Sequence, residues 1–161
     1  MQISIRDAEM NDVYAVLKLM QRLADHEGLA PYFQLTQDAL AECCLRNPKR
    51  FHVLVAASET AVVGYATYMF QFSPWAAREY LFLDDIYVAE EARQGGVGTR
   101  LMRRVAEIAL EHDVDVRWHV ETDNRSAQRF YAVLGAELRD RFIAYWSRDA
   151  LRVLLGIRGS S

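Results

Sequence analysis

The segment with the clearest chemical signature is a glycine-rich run, Arg93-Gln94-Gly95-Gly96-Val97-Gly98-Thr99. Glycine lets backbone N–H groups approach an anion closely, and the N-terminus of a following helix adds a partial positive charge. Arginines follow at positions 100, 103 and 104, so a ligand with several phosphates is physically reasonable. The alternative is a tight turn with a solvated arginine-rich face. The run has neither the Gly-Lys-Ser/Thr of a Walker A loop nor the glycine order of a dinucleotide-binding loop.

Two adjacent carboxylates, Asp84 and Asp85, interrupt an otherwise apolar segment rich in strand-forming residues. Charges there are costly unless they face solvent, a pocket or a partner. Successive side chains of a strand point to opposite faces, so at most one of the pair enters a given pocket unless a β-bulge intervenes. A carboxylate in a pocket can serve as a general base. The alternative is a structural pair with backbone or arginine partners.

The composition limits the classes of protein to which the chain can belong. With 161 residues, 52% apolar and 25% charged, it predicts one ordinary domain over residues 1–161, with 158–161 as a candidate disordered tail. The 19 basic and 22 acidic residues give a net charge of -3, which is not the electrostatic signature of a general nucleic-acid binder.

Cysteine usage and hydropathy indicate the environment. Cys43 and Cys44 are adjacent, so a disulfide between them would be strained, and no Cys or His spacing is typical of a metal site. The apolar stretch 61–70 is too short to span a bilayer, and the first residues lack the layout of a signal peptide. We therefore expect a cytoplasmic protein with no metal, no nucleic-acid partner and no membrane partner.

The elements that must position these residues follow from hydrophobic periodicity and turn signals. The pattern predicts a short strand at Ile3 and Ile5, a helix over about 13–24, and a helix over 37–46 capped by Thr36. Strands are predicted at 51–57, 61–70, 80–88, 115–120 and 143–146, the first two of these forming a hairpin. A long helix follows the glycine run, another runs to Gly135, and Ser147 can cap a short C-terminal turn.

Together these features resemble a known family. Arg93, Gly96 and Gly98 form R-x-x-G-x-G after a strand that ends Ile86-Tyr87-Val88, which resembles motif A of the GNAT N-acetyltransferases. Two downstream segments, Asn124-Arg125-Ser126-Ala127 and 130–136 (FYAVLGA), resemble the second motif of that superfamily. The resemblance covers nearly the whole chain. It implies an α/β (α+β) fold with a mixed, mostly antiparallel sheet of six or seven strands, flanked by helices and splayed between strands 4 and 5.

The resemblance implies acetyl-CoA as cosubstrate. The backbone of Ile86 and Val88 would pair with the pantetheine arm like an extra strand, and Tyr131 would donate a proton to the departing thiolate. The alternative for Tyr131 is a core residue on the face formed by Ala127, Phe130 and Leu134. The full set of predicted cofactor-binding residues is Ile86, Tyr87, Val88, Arg93, Gln94, Gly95, Gly96, Val97, Gly98, Thr99, Asn124, Ala127 and Tyr131.

The more specific similarity is to the spermidine/spermine (diamine) branch, through Ser73-Pro74-Trp75, the segment 81–88 (LFLDDIYV) and the segment 23–27 (LADHE). It implies that Glu27, Trp75, Asp84 and Asp85 bind the acceptor. Asp84 matches the Glu of the branch and is the preferred catalytic carboxylate, with Asp85 as its rival. The alternatives to acceptor binding are that Glu27 is an ordinary solvated charge and that Trp75 covers the core. Ser73 replaces an acidic residue of the branch, which leaves smaller amines open as acceptors.

The implied activity is direct transfer of acetyl to an amine of a small cationic acceptor, either diamine-like or amino-acid-like, by a homodimer. One alternative is acetylation of a protein N-terminus or lysine. Another is an acyl-CoA-binding regulatory module without catalysis. Release of free coenzyme A with amines, compared with peptides, distinguishes these possibilities.

Overall fold

The computed structural model describes residues 2–140 and 142–156, and its central element is a five-stranded sheet in the order β1-β2-β3-β4-β5. The first four strands pair antiparallel with their neighbours, and β5 runs parallel to β4. The β2–β3 pair is the predicted hairpin, with a polar turn at residues 58–61. The strands are β1 Ser4–Asp7, β2 His52–Ala57, β3 Val62–Ser73, β4 Arg78–Val88 and β5 Val116–Arg117.

The helices are α1 Val13–His26, α2 Gln37–Leu45, α3 Val97–Glu111, α4 Arg125–Val133 and α5 Arg148–Leu154. The predicted caps are confirmed: the Ala39 N–H donates to Thr36 Oγ1 at 3.2 Å, and the Ala150 N–H donates to Ser147 Oγ at 3.2 Å. None of the helices in the described part of the chain has the length and apolar content needed to cross a lipid bilayer.

The core lies against the sheet because both α1 and α3 bury one apolar face. Val13, Val16 and Leu40 from the first two helices pack with Val55 and Tyr65 of the sheet. α3 packs against β1 to β4 and buries Leu101, Val105 and Ile108, which are outside that cluster. Since alternate strand residues face opposite sides of a sheet, α3 covers the other face.

The predicted class of fold is confirmed, whereas the predicted sheet of six or seven strands is wrong for the described residues. The segment 143–146 forms no strand, although its residues favour strands. Strand propensity depends on packing and pairing with a neighbour. Ile143 and Tyr145 are instead exposed, and the helix α5 follows directly.

The chain divides into two compact units, Met1–Val120 and Glu121–Ser161. The sheet and the first three helices belong to the first unit, and α4 and α5 belong to the second. The candidate tail 158–161 lies outside the described residues.

Candidate functional site

The edge of β4 opens where its pairing with β5 stops. Only Leu81 and Phe82 of β4 pair with β5, whereas β4 continues to Val88, so the predicted splay is present. The Ala89 N–H donates to Val63 O on β3 at 2.9 Å. Backbone groups of alternate strand residues point to the same side, so Ile86 and Val88 direct theirs to the open edge. A second extended chain can therefore pair with this edge.

Arg93 occupies part of that edge. Its Nε donates to Val88 O at 3.0 Å, and its guanidinium lies 5.6 Å from the centre of the Tyr87 ring. The Val88 carbonyl, predicted to contact an extended ligand, thus already has one partner within the chain. The backbone of Ile86 has no such side-chain partner among the described residues.

Residues 93–99, the glycine loop, turn the chain from β4 into α3. Gln94 and Gly96 have positive φ values of 66° and 71°, and a Cβ built on Gly96 meets no atom within 4 Å. Gly96 is the N-cap of α3 and supplies no side chain to cap the helix. The first N–H groups of a helix have no partner within it. The loop therefore presents backbone donors and the positive end of a helix to open space, which suits an anion.

Two of the three arginines that follow the loop already have partners. Arg100 donates to the Ile3 carbonyl, and Arg104 contacts Glu107 and Glu111 at 3.1 and 3.2 Å. Arg103 is exposed. The anion-binding potential therefore resides mainly in the backbone of the loop.

A β-bulge places both aspartates of β4 on one cavity. Thr67 pairs with Asp85, but the next β3 residue, Tyr68, pairs with Leu83, so Asp84 is the extra residue of β4. The Asp85 N–H donates to Thr67 Oγ1 at 3.1 Å, which holds the bulge. Regular alternation would have sent the two side chains to opposite faces, and the bulge removes that restriction.

The cavity they line, called here the carboxylate cavity, has a volume of about 430 Å³. Its acidic residues are Glu27 from the end of α1 with Asp84 and Asp85 from β4, so three predicted acceptor-binding residues share one cavity. Trp75 is not among the lining residues and is fully exposed in the turn between β3 and β4. The structure thus brings together three of the four predicted acceptor residues.

The electrostatics of the cavity centre on Asp85. Burial, followed by repulsion from Asp84 and Glu27, raises the pKa of Asp85 to about 6. Asp84, by contrast, is exposed to solvent. Asp85 is therefore a carboxylate that changes protonation near neutral pH, as a general base requires.

Tyr65 of β3 also lines the cavity and is not among the residues predicted from the sequence. Its hydroxyl is fully buried with no hydrogen-bond partner among the described residues, and burial raises its pKa. The one feature of the sequence that marks this position is a tyrosine, with its polar hydroxyl, inside an otherwise apolar strand. Apolar lining residues from α1 and from the segment 28–36 were also missed, because an apolar residue beside a helix end looks like ordinary core.

The second unit contains the remaining predicted residues. Asn124 caps α4, because the Ala127 N–H donates to Asn124 Oδ1 at 3.0 Å. That bond occupies the side-chain oxygen and leaves the amide N–H₂ of Asn124 as a donor. Tyr131 is buried, lies 5.3 Å from Phe130 between ring centres, and has its pKa raised by burial. Its hydroxyl is therefore protonated at neutral pH.

Comparisons with known proteins bear on the family and the fold of the chain. Residues 14–136 match the model of the Acetyltransferase (GNAT) family. A thialysine N-epsilon-acetyltransferase from Bos taurus is 33% identical over 84% of this chain and 84% of its own length. The human spermidine/spermine N(1)-acetyltransferase-like protein 1 is 28% identical over 82% of this chain and 20% of that protein. An integron cassette protein of V. cholerae shares the fold, with a TM-score of 0.77 and 23% identity over 96% of this chain and 98% of its own.

The family match covers both the open β4 edge with its glycine loop and the α4 helix that carries Tyr131. An identity of 33% over most of both chains agrees with it. Enzymes of this family use acetyl-CoA as cosubstrate. The chain belongs to the GNAT family of acetyltransferases.

Proposed function

We propose that the protein transfers acetyl from acetyl-CoA to an amine of a small cationic acceptor, by direct attack and without an acyl-enzyme. One observation carries the proposal: β4 lines the carboxylate cavity with Asp84 and Asp85, and its next residues form the open edge. A strand rises about 3.3 Å per residue, so the three residues from Asp85 to Val88 span about 10 Å. The acceptor and the cosubstrate would therefore bind next to each other along β4. The names of the thialysine and spermidine/spermine relatives support an amine acceptor.

The glycine loop and the open edge fit acetyl-CoA, which supplies the acetyl group as a thioester. The backbone of Ile86, with the Val88 N–H, would pair with the pantetheine arm. The donors from Gln94 to Thr99 would hold the pyrophosphate, and the free amide of Asn124 would add a contact. These contacts position the thioester and leave the cavity to the acceptor.

The acceptor ammonium must lose a proton before its nitrogen can attack. The three carboxylates would attract the cation, and Asp84 or Asp85 would take the proton. The sequence places Asp84 first. Burial reverses that order in this proposal, because the pKa of Asp85 is raised to about 6, nearer to neutral pH. Glu27 would hold the charge of the acceptor. Trp75 has no part in the proposal, because it does not line the cavity.

Tyr131 is proposed as the general acid. A buried phenol whose pKa is raised keeps its proton at neutral pH and can deliver it to the departing thiolate. Its role is supported by the match of residues 14–136 to the family, which includes this helix.

The decisive experiment measures free coenzyme A released from acetyl-CoA with a panel of small amines and of peptides with free N-termini or lysines. We expect turnover with small amines and little with peptides. Turnover restricted to peptides would favour protein acetylation. Acetyl-CoA binding without turnover of any acceptor would indicate a regulatory module.

We also propose that both compact units form one acetyltransferase domain. The matched family segment, residues 14–136, begins in the first unit and ends in the second. Calorimetric unfolding of the full chain tests the proposal, and one cooperative transition is expected. Two separate transitions would contradict it.

A homodimer is proposed from the apolar surface of the second unit. Phe142 is fully exposed, and Ile143, Tyr145 and Trp146 beside it are exposed as well. Contiguous exposed apolar side chains mark contact surfaces. Light scattering on the purified protein should give twice the 18.5 kDa mass of the chain, and the monomer mass would contradict the proposal.

A cytoplasmic location is proposed because Cys43 and Cys44 are both free thiols, one partly and one fully buried. Free thiols are typical of reducing compartments. Fractionation of the source cells, with the enzyme followed by its activity, tests the location.

A further inference from the structure

The carboxylate cavity is lined mainly by two kinds of side chain, acidic and apolar. Its charged side chains are all acidic, and within the described part of the chain no Arg, Lys or His belongs to its lining. A carboxylate on the acceptor would thus face Glu27, Asp84 and Asp85 with no cation in that lining to pair with. Like charges in one site repel, and repulsion from Asp84 and Glu27 adds to burial, the larger cause, in raising the pKa of Asp85.

The rest of the lining is largely apolar. Met20 and Leu23 come from α1, and Leu29, Tyr32, Phe33 and Leu35 come from the segment between α1 and α2. Two of these are far from buried, with Leu29 48% and Tyr32 77% exposed. Large apolar side chains around a concave site are stabilised when a ligand removes them from water. An acceptor with a polar body would not gain this stabilisation, because it would not bury the apolar lining in apolar contacts.

We infer that the acceptor is an alkylamine or arylalkylamine without a carboxylate, whose apolar body lies against Leu29, Tyr32 and Phe33 while its amine lies at the three carboxylates. The inference rests on the proposed function and narrows it, because it excludes amino-acid-like acceptors. In this it separates the chain from the relative at 33% identity, whose name gives the amino acid thialysine as acceptor. A diamine remains compatible, since its methylene chain is apolar and Glu27, at the exposed end of α1, can hold a second ammonium.

The test uses pairs of acceptors that differ in one group, with kcat/KM measured from released coenzyme A. Lysine and 1,5-diaminopentane differ only by the carboxylate, as do phenylalanine and phenethylamine. Ethylamine and phenethylamine differ by the aryl body. We expect the amine without the carboxylate to exceed its amino acid by about tenfold or more. Phenethylamine should exceed ethylamine by about tenfold or more, as expected for burial of an aromatic ring.

Two variants locate the body of the acceptor. Leu29→Ala and Tyr32→Ala should each lower kcat/KM for phenethylamine about three- to tenfold and leave ethylamine within about twofold. Leu110→Ala and Tyr14→Ala are matched controls, because both residues are exposed and neither lines the cavity. They should change neither acceptor, and acetyl-CoA affinity should stay constant in all four variants.

The outcomes separate the inference from the function on which it rests. Lysine as efficient as 1,5-diaminopentane, or ethylamine as efficient as phenethylamine, would overturn the inference and leave an amine acetyltransferase. Equal losses for both amines in Leu29→Ala would also overturn it, because a general structural effect would explain them. Absence of turnover with every amine, while acetyl-CoA binds, would overturn the proposed function and the inference together.

Discussion

The glycine loop and the carboxylate cavity differ in what they are made of. The loop consists of neighbouring residues and presents backbone N–H groups, with Gly96 at a φ of 71°. The cavity collects side chains from α1, from the segment after it, and from β3 and β4. Backbone sites tolerate different side chains as long as the turn is preserved, whereas a side-chain site changes chemistry with a single substitution. The loop is therefore suited to the constant cosubstrate, and the cavity to a variable acceptor.

The largest effect is expected at Tyr131, which belongs neither to the glycine loop nor to the carboxylate cavity. Tyr131→Phe keeps the ring and removes the proton donor, so turnover should fall about 10²–10⁴-fold while acetyl-CoA affinity is unchanged. Steady-state kinetics with calorimetric titration of acetyl-CoA measures both quantities. Tyr14→Phe, at an exposed tyrosine of α1 that does not line the cavity, is the control. Full turnover in Tyr131→Phe, where the chemical step limits the rate, would assign protonation to water or another group.

The next test asks whether the loop acts through its backbone and helix end. Gly96→Asp places a negative charge where the pyrophosphate is proposed to bind, so acetyl-CoA affinity should fall about ten- to a hundredfold in a folded protein. Gly28→Asp is a matched control, because Gly28 has a φ of 70° and its Cβ would also meet open space. Unchanged affinity in Gly96→Asp, or equal losses in both variants, would remove the assignment of the loop to the cosubstrate.

The charge of the cavity predicts a preference among acceptors. A diamine should exceed a monoamine of equal length in kcat/KM, and Asp84→Asn should reduce that preference about five- to thirtyfold. The assays need constant ionic strength because exposed charges are screened. Asp38→Asn, at an exposed carboxylate of α2 outside the cavity, should leave the preference intact. A preference that survives Asp84→Asn would exclude this carboxylate from acceptor binding.

The smallest effect concerns stability and follows from the pKa of Asp85, raised to about 6. Between the ordinary carboxyl pKa of about 4 and this value, the folded state binds more protons than the unfolded state. The free energy of unfolding therefore falls as pH rises through this window. The difference in the free energy of unfolding between pH 4 and pH 7, measured with denaturant, should be about 1–2 kcal/mol smaller in Asp85→Asn than in the wild type.

Asp84→Asn is the informative partner of that experiment. Repulsion from Asp84 contributes to the raised pKa, so in Asp84→Asn the upper end of the pH window should fall and the window should narrow without disappearing. In the kinetics, Asp85 as the base requires kcat/KM to rise through about pH 6 and this step to vanish in Asp85→Asn. Identical stability profiles for the wild type and Asp85→Asn would show that Asp85 is not desolvated.

Local signals in the sequence were sufficient for much of the fold. Thr36 caps the helix that it was predicted to cap, and Ser147 caps the helix α5 where a short turn was predicted. The amphipathic pattern marked α1 and α3. The segment 143–146 shows where such signals fail, because strand-forming residues still need a neighbouring strand. The site followed the same division: Glu27, Asp84 and Asp85 were predicted to line the acceptor pocket and do line one cavity, whereas Trp75 does not.

The sequence by itself determined the glycine loop, because the conformation of the loop depends on residue type and spacing within one turn of chain. It also determined that two carboxylates interrupt β4. Only the tertiary structure decided that both reach one cavity, through a bulge opposite Thr67, and that Asp85 rather than Asp84 is desolvated. The buried hydroxyl of Tyr65 and the apolar wall at Leu29 and Tyr32 were likewise decided there. Register, burial and convergence of distant segments depend on how the elements pack, and no short stretch of residues specifies that packing.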